Sequence, residues 1–435
     1  MEATVIILFI IGYLLIALEH PIRVNKSATA IVTGVLCWTI YTIFSEQSTE
    51  HISHQLADHF GETAEILFFL LGAMTIVELV DGYEGFRIIT DRIKTKNPKT
   101  LLWIICGVTF FLSAILDNLT TSIVMVSLVR KLVPNRDMRL FFVGMIVIAA
   151  NAGGAWSPIG DVTTTMLWIG GQISAVNIIK TLILPSIVCM VVPLVYLQFT
   201  LKGEVGDADE SAESAENNLH GDHTPVKGAK TMLFLGVGGL IAVPFFKTVT
   251  HLPPYVGMLL SLGIIWIVSE LMNPHLNEKE KKPYTAAGAL ARIDVASVLF
   301  FLGILLAVAA LQSIGLLHRF AAYLAETIGD NRIIITLIGI LSSIVDNVPL
   351  VAASMGMYSL TDYPTDHMIW EYLAYCAGTG GSILIIGSAA GVAVMGMEKV
   401  DFIWYLKKIS FLAALGYFAG AIVYLIIYPY LAVHP

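Results

Sequence analysis

The chain has 435 residues, of which 56% are hydrophobic and only 13% are charged, and its formal net charge is −8. Soluble proteins carry about 25% charged residues, so this composition excludes an ordinary soluble protein. A small negative net charge also gives no reason to expect a nucleic-acid partner. The apolar runs have the length of helices that cross a lipid bilayer and show no period of two. They exclude a β-barrel and predict an all-α polytopic membrane protein.

Apolar windows taken in chain order predict about ten full crossings. They cover residues 3–20, 27–45, 63–82, 140–170, 178–200, 231–249, 255–272, 294–313, 368–397 and 403–428. The second and third crossings are joined by a predicted outer loop, which contains His51, His54 and His59. If both termini are outside, every Lys and Arg lies inside except Lys180, Lys247, Arg319 and Arg332. This bias is typical of a multi-pass protein of the cell inner (plasma) membrane.

An acidic segment, residues 201–230, separates two apolar halves, residues 1–200 and 231–435. The segment is rich in Glu, Asp, Ser and Gly and nearly free of aliphatic residues. Such a composition cannot bury enough apolar surface to fold. We therefore interpret it as a cytoplasmic linker between two domains.

Two further apolar stretches, residues 101–133 and 333–360, are too long for one helical crossing. Each has an Asp-Asn pair at its centre, where we predict that the chain breaks and turns back as a re-entrant helical hairpin. The centres SAILDNLTTS (113–122) and SSIVDNVPLV (342–351) align residue for residue. GGAWSPIGD (153–161) and GGSILIIGS (380–388) follow in the same order, within predicted broken helices at 140–170 and 368–397. Repetition in a fixed order indicates a duplication.

Each half therefore contains five predicted crossings and one re-entrant hairpin. Because five is an odd number, the two halves must have opposite orientations in the membrane, with the hairpin tips meeting near its midplane. Inverted repeats with broken helices around a central site are the architecture of secondary transporters. The predicted fold therefore indicates a protein that transports a solute across the membrane.

The breaks are candidate binding sites, because irregular backbone inside a bilayer is stable only where it is buried in protein or lines a wet cavity. Carboxylate, amide and hydroxyl oxygens together suit a hard cation such as Na⁺ or Li⁺. The candidate ligands are Asp117, Asn118, Thr120, Thr121, Asn151, Ser157, Asp161 and Thr163 in the first half and Asp346, Asn347, Thr379, Ser382 and Ser388 in the second. Direct Na⁺ ligands are expected at Asp117, Asn118, Asn151, Asp346 and Asn347. Na⁺ is expected as the transported ion, and no cofactor is expected.

Three acids, Asp117, Asp161 and Asp346, are the candidate carriers of the proton or the cation. A buried carboxylate can hold either a proton or Na⁺, and this competition is sufficient for exchange if the empty charged form moves slowly. Ser388 stands where the first half has Asp161, so the two lobes of the site are chemically unequal. The structural alternative is that these Asp and Asn residues cap the helix that follows each break.

These motifs resemble the ion transporter superfamily, and above all its NhaD-type Na⁺/H⁺ antiporters. The resemblance is carried by the paired SAILDN and SSIVDN segments, the GG-plus-IG breaks and the acidic mid-chain linker, and it covers residues 60–200 and 290–430. It implies exchange of Na⁺, with Li⁺ as a second candidate ion, for H⁺. It also implies a homodimer whose transport domain holds both hairpins and moves elevator-fashion past a scaffold domain.

Two other transport functions stay open at this point. A Na⁺-coupled organic anion symporter, like the dicarboxylate carriers of the superfamily, would need substrate contacts at the tips or a cationic residue at mid-depth, where no Lys or Arg is expected. ArsB-like metalloid efflux carriers share the hairpin plan. An intramembrane aspartyl protease would need a Tyr-Asp partner on a continuous helix, so no enzyme is expected.

Overall fold

The computed structural model describes residues 2–17, 19–93, 95, 97–200, 228–274 and 277–431, and its regular elements there are helices. Residues 201–227 of the predicted linker lie outside the described residues. The helices of the first half are α1 (Glu2–Ala17), α2 (Glu19–Ile22), α3 (Lys26–Phe44), α4 (Thr49–Gly82), α5 (Arg87–Thr90), α6 (Pro98–Leu116), α7 (Asn118–Leu132), α8 (Arg136–Ala155), α9 (Val162–Ile169) and α10 (Ala175–Thr200).

The second half continues the helical chain. Its helices are α11 (Ala229–Thr250), α12 (Pro254–Met272), α13 (Glu278–Lys281), α14 (Ala286–Leu290), α15 (Val295–Ser313), α16 (Leu316–Ile328), α17 (Asn331–Leu341), α18 (Asn347–Met357), α19 (Met368–Gly380), α20 (Ala389–Glu398), α21 (Phe402–Lys408) and α22 (Ser410–Leu431).

Among the described residues, 9 helices are long and apolar enough to cross a membrane. They are α3, α4, α6, α8, α10, α11, α12, α15 and α22. The helix α1 is also apolar but has only 16 residues. The prediction of an all-α, multi-pass membrane protein is therefore confirmed.

Two predicted boundaries are wrong. The outer loop between the second and third crossings is largely helical, because α4 begins at Thr49, where the Ser48 hydroxyl caps it by accepting a hydrogen bond from the amide of His51. The last crossing is interrupted, since α21 ends at Lys408 and α22 begins at Ser410. Ile409, which separates these two helices, is fully buried.

Helices α3 and α15 pack closely along their length. Gly303 on α15 lies directly against the backbone of α3, where a side chain would collide with Ala30. The indole Nε1 of Trp38 donates to the carbonyl oxygen of Leu306 at 2.9 Å. Together these contacts hold α3 in a fixed position along α15.

Both halves bring a glycine against the first helix of a hairpin. A Cβ atom at Gly153 on α8 would collide with the carbonyl oxygen of Phe110 on α6. A Cβ atom at Gly380 on α19 would collide with the carbonyl oxygen of Gly339 on α17. These close approaches explain why each predicted broken helix carries glycines in its first part.

Serine hydroxyls make matching bonds next to these glycines. Ser113 on α6 donates to the carbonyl oxygen of Ala150 at 2.6 Å, and Ser342 donates to that of Ala377 at 2.9 Å. The equivalent contacts support a duplication. The opposite orientation of the halves in a membrane stays a prediction.

Replacing Gly153 with alanine is expected to destabilise the fold, because α8 must move away from the Phe110 carbonyl. Overpacking of this kind costs about 1–3 kcal/mol, so the melting temperature of the purified protein in detergent should fall by several degrees. Gly107→Ala on α6 is the matched control, because its added Cβ meets no atom within 4 Å. Equal melting temperatures for the two variants would contradict the close packing.

The helices α6 and α7 form an antiparallel pair. At the start of α6, Trp103 Nε1 donates to Gln198 near the end of α10 at 2.9 Å. At the end of α7, Arg130 bonds Glu398, and Arg139 at the start of α8 bonds the same carboxylate, at 2.7 and 3.0 Å. From the end of α7, α8 and α9 lead away and α10 returns. The start of α6, which contacts the end of α10, therefore lies on the same side of the protein as the end of α7. Re-entry of the pair from one face of a membrane stays a prediction.

Candidate functional site

Four polar residues end the breaks in the helices, and each caps the helix that follows. Asp117 caps α7, Asp161 caps α9, Asp346 caps α18 and Ser388 caps α20. The capping alternative therefore describes part of what these side chains do. The N-terminal end of a helix also stabilises negative charge, which favours carboxylates at these positions. Each acid keeps further oxygen lone pairs that capping does not use.

Asp161 lies where both hairpins converge, with only 2% of its surface exposed. Its Oδ1 accepts hydrogen bonds from the amide and the hydroxyl of Thr163, at 2.9 and 2.8 Å. Its Oδ2 accepts from Nδ2 of Asn118, in the first hairpin, at 2.7 Å. Nδ2 of Asn347, in the second hairpin, lies 3.4 Å from Oδ1. One carboxylate is thus shared by the tips of the two halves.

Asn151 links the two broken helices. Its Oδ1 accepts from Nδ2 of Asn118 at 3.0 Å. Its own Nδ2 donates to the hydroxyls of Ser382 and Ser388, each at 2.9 Å. We name these connected residues the polar cluster: Asn118, Asn151, Asp161, Asn347, Ser382 and Ser388. The members come from both halves, although they are far apart in the sequence.

The acids at the two hairpin tips have different partners. Asp117, whose backbone φ is 96°, accepts from both the amide and the hydroxyl of Thr120, at 2.8 and 2.9 Å. Asp346 has Pro349 at the equivalent position, which offers neither an N–H nor a hydroxyl. Instead, the ammonium of Lys26 lies 3.4 Å from Oδ2 of Asp346. The two tips are therefore chemically unequal.

All three acids line one cavity of about 80 Å³, which we name the tip cavity. Asp117, Asp161 and Asp346 share its wall with Lys26. Apolar residues of α4 and α15 also line it: Phe69, Leu70, Ala73, Met74 and Phe301. Carboxylate and amide oxygens in a small, largely apolar cavity can bind a dehydrated hard cation or, alternatively, a proton.

Three predicted hydroxyl ligands, Ser157, Thr379 and Thr121, bond neither the polar cluster nor an acid at a hairpin tip. The hydroxyl of Ser157 donates to the carbonyl oxygen of Ala114 at 2.5 Å, and that of Thr379 donates to Tyr375 within its own helix at 2.6 Å. Both hydroxyls thus satisfy backbone groups. The Thr121 hydroxyl is buried and has no hydrogen-bond partner within the described part of the chain.

Two charged residues of possible functional importance, Lys26 and Glu371, were not predicted from the sequence. Lys26 contacts Asp346 at the tip of the second hairpin, where no Lys or Arg was expected. Its position at the end of a predicted crossing gave no signal, since lysines there normally extend to the membrane surface. Glu371 is fully buried and accepts from the Tyr424 hydroxyl at 2.8 Å and from Asn177. An acid inside a predicted crossing was a signal for this second residue.

A second cavity, of about 420 Å³, lies farther along four of the helices that line the tip cavity, α4, α9, α15 and α18. Its polar lining includes His59, Glu62, Glu65 and Gln312. Oε2 of Glu62 lies 3.4 Å from Nδ1 of His59. We name it the distal cavity. Its lining contains two acids and a histidine, whereas the lining of the tip cavity contains three acids and a lysine.

The two cavities are separated by about one turn of packed side chains. Both are lined by α4, α9, α15 and α18, and on each helix the lining changes from one cavity to the other within a few residues. The neighbouring lining residues, tip cavity first, are Leu70 and Ile66 on α4, Thr165 and Met166 on α9, Phe301 and Leu305 on α15, and Val348 and Ala352 on α18.

Comparison with known proteins adds an independent line of evidence. The model of a family described as "Citrate transporter" matches residues 13–371. "Sodium/proton antiporter 1" of Arabidopsis thaliana is 50% identical over 433 residues, covering 100% of this chain and 73% of the relative. "Sodium/proton antiporter 2" of the same plant is 46% identical, covering 97% of this chain and 99% of the relative. "Na(+)/H(+) antiporter NhaD" of Vibrio cholerae is 28% identical, covering 97% and 91%.

Proposed function

This chain belongs to the family described as citrate transporters, and we propose that it is a secondary active transporter that exchanges Na⁺ for H⁺ across a membrane. The resemblance to NhaD-type antiporters is confirmed by the identities with relatives of that name. The chain is a transporter rather than an enzyme. The relatives named as sodium/proton antiporters support the choice of ions.

The chemistry of the tip cavity supports exchange. Asp117, Asp161 and Asp346 line a cavity of about 80 Å³, in which their oxygens can replace part of the water around a cation. A carboxylate there holds either Na⁺ or a proton, so the two ions compete for the same oxygens. The amides of Asn118 and Asn347 lie beside Asp161 and supply uncharged oxygens for a cation. Such competition produces antiport when only the loaded forms cross.

The observation that carries the proposal is the pair of cavities along the same four helices. The tip cavity and the distal cavity have acidic residues in their linings and are separated by about one helical turn. A shift of α9 and α18 by roughly one turn past α4 and α15 would carry Asp161 from one cavity toward the other. Alternating access needs an ion site that opens to one side at a time, and this geometry supports it.

The charges in the tip cavity favour a cation over citrate or another organic anion. Lys26 removes one argument against an anion symporter, because it places a cationic group beside the tip of the second hairpin. Three carboxylates nevertheless face this single ammonium, so the cavity keeps an excess of negative charge. A substrate with several carboxylates would be repelled, whereas Na⁺ or Li⁺ would be attracted.

Further parts of the proposal rest mainly on the family resemblance. They are an elevator-type movement, a homodimer, opposite orientation of the two halves, external termini and a place in the cell inner (plasma) membrane. The close packing of α3 on α15 supports the elevator movement, since it gives one group of helices a rigid scaffold. Residues of both hairpins meeting at Asp161 support a second group that moves as one body.

The proposal is tested by Na⁺-driven collapse of a proton gradient in vesicles from cells without their own antiporters. Adding Na⁺ or Li⁺ to vesicles with the intact chain should restore the fluorescence of a pH-gradient dye. Asp117→Asn and Asp346→Asn should each abolish this response, because the tip cavity loses a carboxylate that a cation would contact.

Asp330→Asn is the matched control, because Asp330 also caps a helix but pairs with Arg332 outside the tip cavity. This variant should respond like the intact chain. If the intact chain gives no response to Na⁺ or Li⁺, the antiporter proposal fails, and an anion symporter or an ArsB-like metalloid carrier takes its place.

A further inference from the structure

Lys26 connects the scaffold to the tip of the second hairpin. It is the first residue of α3, and the neighbouring Ser27 hydroxyl donates to the carbonyl oxygen of Ala296 at 2.6 Å. Its ammonium lies 3.4 Å from Oδ2 of Asp346, and both side chains are only partly exposed, at 26% and 18%. The backbone is thus fixed while the side chain reaches into the tip cavity.

The second hairpin leaves Asp346 short of other partners. At the first tip, Thr120 supplies both an amide and a hydroxyl to Asp117. At the second tip, Pro349 supplies neither, and the amide of Val348 approaches Asp346 only to 3.4 Å. The carboxylate oxygens of Asp346 are therefore less occupied by hydrogen bonds, and the Lys26 ammonium takes a place that a metal cation could hold.

We propose that Lys26 is an internal competitor for Na⁺ at Asp346, so that Na⁺ binds by displacing its ammonium. This inference rests on the proposed function, since it assigns a role at the same ion site. A cation that enters the tip cavity replaces one positive charge beside Asp346 by another, and the net charge at this carboxylate changes little. Lys26 is a positioning and affinity-setting residue, and it carries no ion itself.

An ammonium displaced from Asp346 has a second partner, the aromatic ring of Phe300. Lys26 Nζ already lies 4.5 Å from the centroid of the Phe300 ring, a distance at which a cation is attracted to the face of an aromatic ring. The ammonium therefore keeps an attractive partner in Phe300 when Na⁺ takes its place at Asp346. Because the pair also joins the scaffold to the hairpin, its release by Na⁺ removes one contact that holds the hairpin in place.

The first test is the Na⁺ concentration that gives half-maximal exchange in vesicles at alkaline pH, where protons compete least. Lys26→Met removes the ammonium, so this concentration should fall by about 3- to 10-fold, as expected for the loss of a competitor in a partly exposed ion pair. Lys26→Arg keeps the charge and should stay near the intact chain. Lys131→Met is the matched control, because Lys131 is an exposed lysine outside both cavities.

The second test does not depend on transport. The purified protein is treated with acetic anhydride in Na⁺ or in choline, and the acetylation of each lysine is measured by mass spectrometry. Na⁺ should raise the acetylation of Lys26 several-fold and leave Lys131 unchanged. Asp346→Asn should remove the difference, because the ammonium then has no carboxylate from which Na⁺ can displace it.

An unchanged or higher half-maximal Na⁺ concentration in Lys26→Met would overturn the inference, as would equal acetylation of Lys26 in Na⁺ and choline. The two proposals fail in different ways. If the intact chain shows no Na⁺-driven exchange but Na⁺ still raises the acetylation of Lys26, the antiporter proposal is lost and the displacement stands. If exchange is normal and acetylation does not respond, the displacement alone is lost.

Discussion

Replacing Asp161 with asparagine is expected to abolish Na⁺-driven proton movement and to leave the fold intact. Asp161 receives hydrogen bonds from Thr163 and Asn118, and the described residues form no ion pair with it. Losing the charge of a buried ion ligand costs about 2–5 kcal/mol, so the affinity for Na⁺ should fall at least about 30-fold. The measurement is the Na⁺ response of the vesicle assay, together with the melting temperature of the purified variant.

The fold should survive because an asparagine also caps a helix. Ser388, at the equivalent position of the second half, caps α20 without a charge. Asp401→Asn is the matched control, since Asp401 caps α21 and is exposed outside the tip cavity. Near-normal exchange in Asp161→Asn would show that this acid carries neither ion.

Replacing Asn151 with leucine is expected to destabilise the protein and to stop exchange. The substitution removes three hydrogen bonds, to Asn118, Ser382 and Ser388. Asn118 keeps its bond to Asp161 and Ser388 keeps the bond from the amide of Gly391, but the Ser382 hydroxyl and one N–H of Asn118 lose a buried partner. Each unsatisfied polar group costs about 1–3 kcal/mol, so a loss of roughly 3 kcal/mol or more in stability is expected. The melting temperature in detergent and the Na⁺ response in vesicles measure the two effects.

Asn331→Leu gives the comparison for a lost amide outside the polar cluster. Asn331 donates one bond of 3.2 Å to the Tyr363 hydroxyl and is partly exposed. Its replacement should lower the melting temperature only slightly and leave exchange unchanged. Similar behaviour of the two variants would mean that the polar cluster is a minor part of the site.

The sequence was most informative where local chemistry decides the structure. An Asp-Asn pair in an apolar run and a Gly-rich segment each disfavour a continuous helix, and the chain does break at Asp117, Asp161, Asp346 and Ser388. The helix that follows each break is capped by the side chain at the break, and capping depends on only a few neighbouring residues. The repeated motifs also made the correspondence of Asp161 with Ser388 visible in advance.

The partners of these residues were harder to predict, because they come from packing between distant segments. The contact of Lys26 with Asp346 needs the exact position of α3 on α15, which no local pattern specifies. Thr379 was expected at the site, but its hydroxyl bonds Tyr375 in its own helix. Threonine makes such bonds in helices wherever no better partner is near, so residue type alone cannot distinguish the two cases.

The sharing of the polar cluster between the halves also sets the order in which the site can form. Asn118, Asn151 and Asp161 are synthesised well before Asn347, Ser382 and Ser388, which complete their hydrogen bonds. Polar groups in a bilayer are costly until they have partners. The first half therefore enters the membrane with an unfinished core, and its final packing must wait for the second half to be translated.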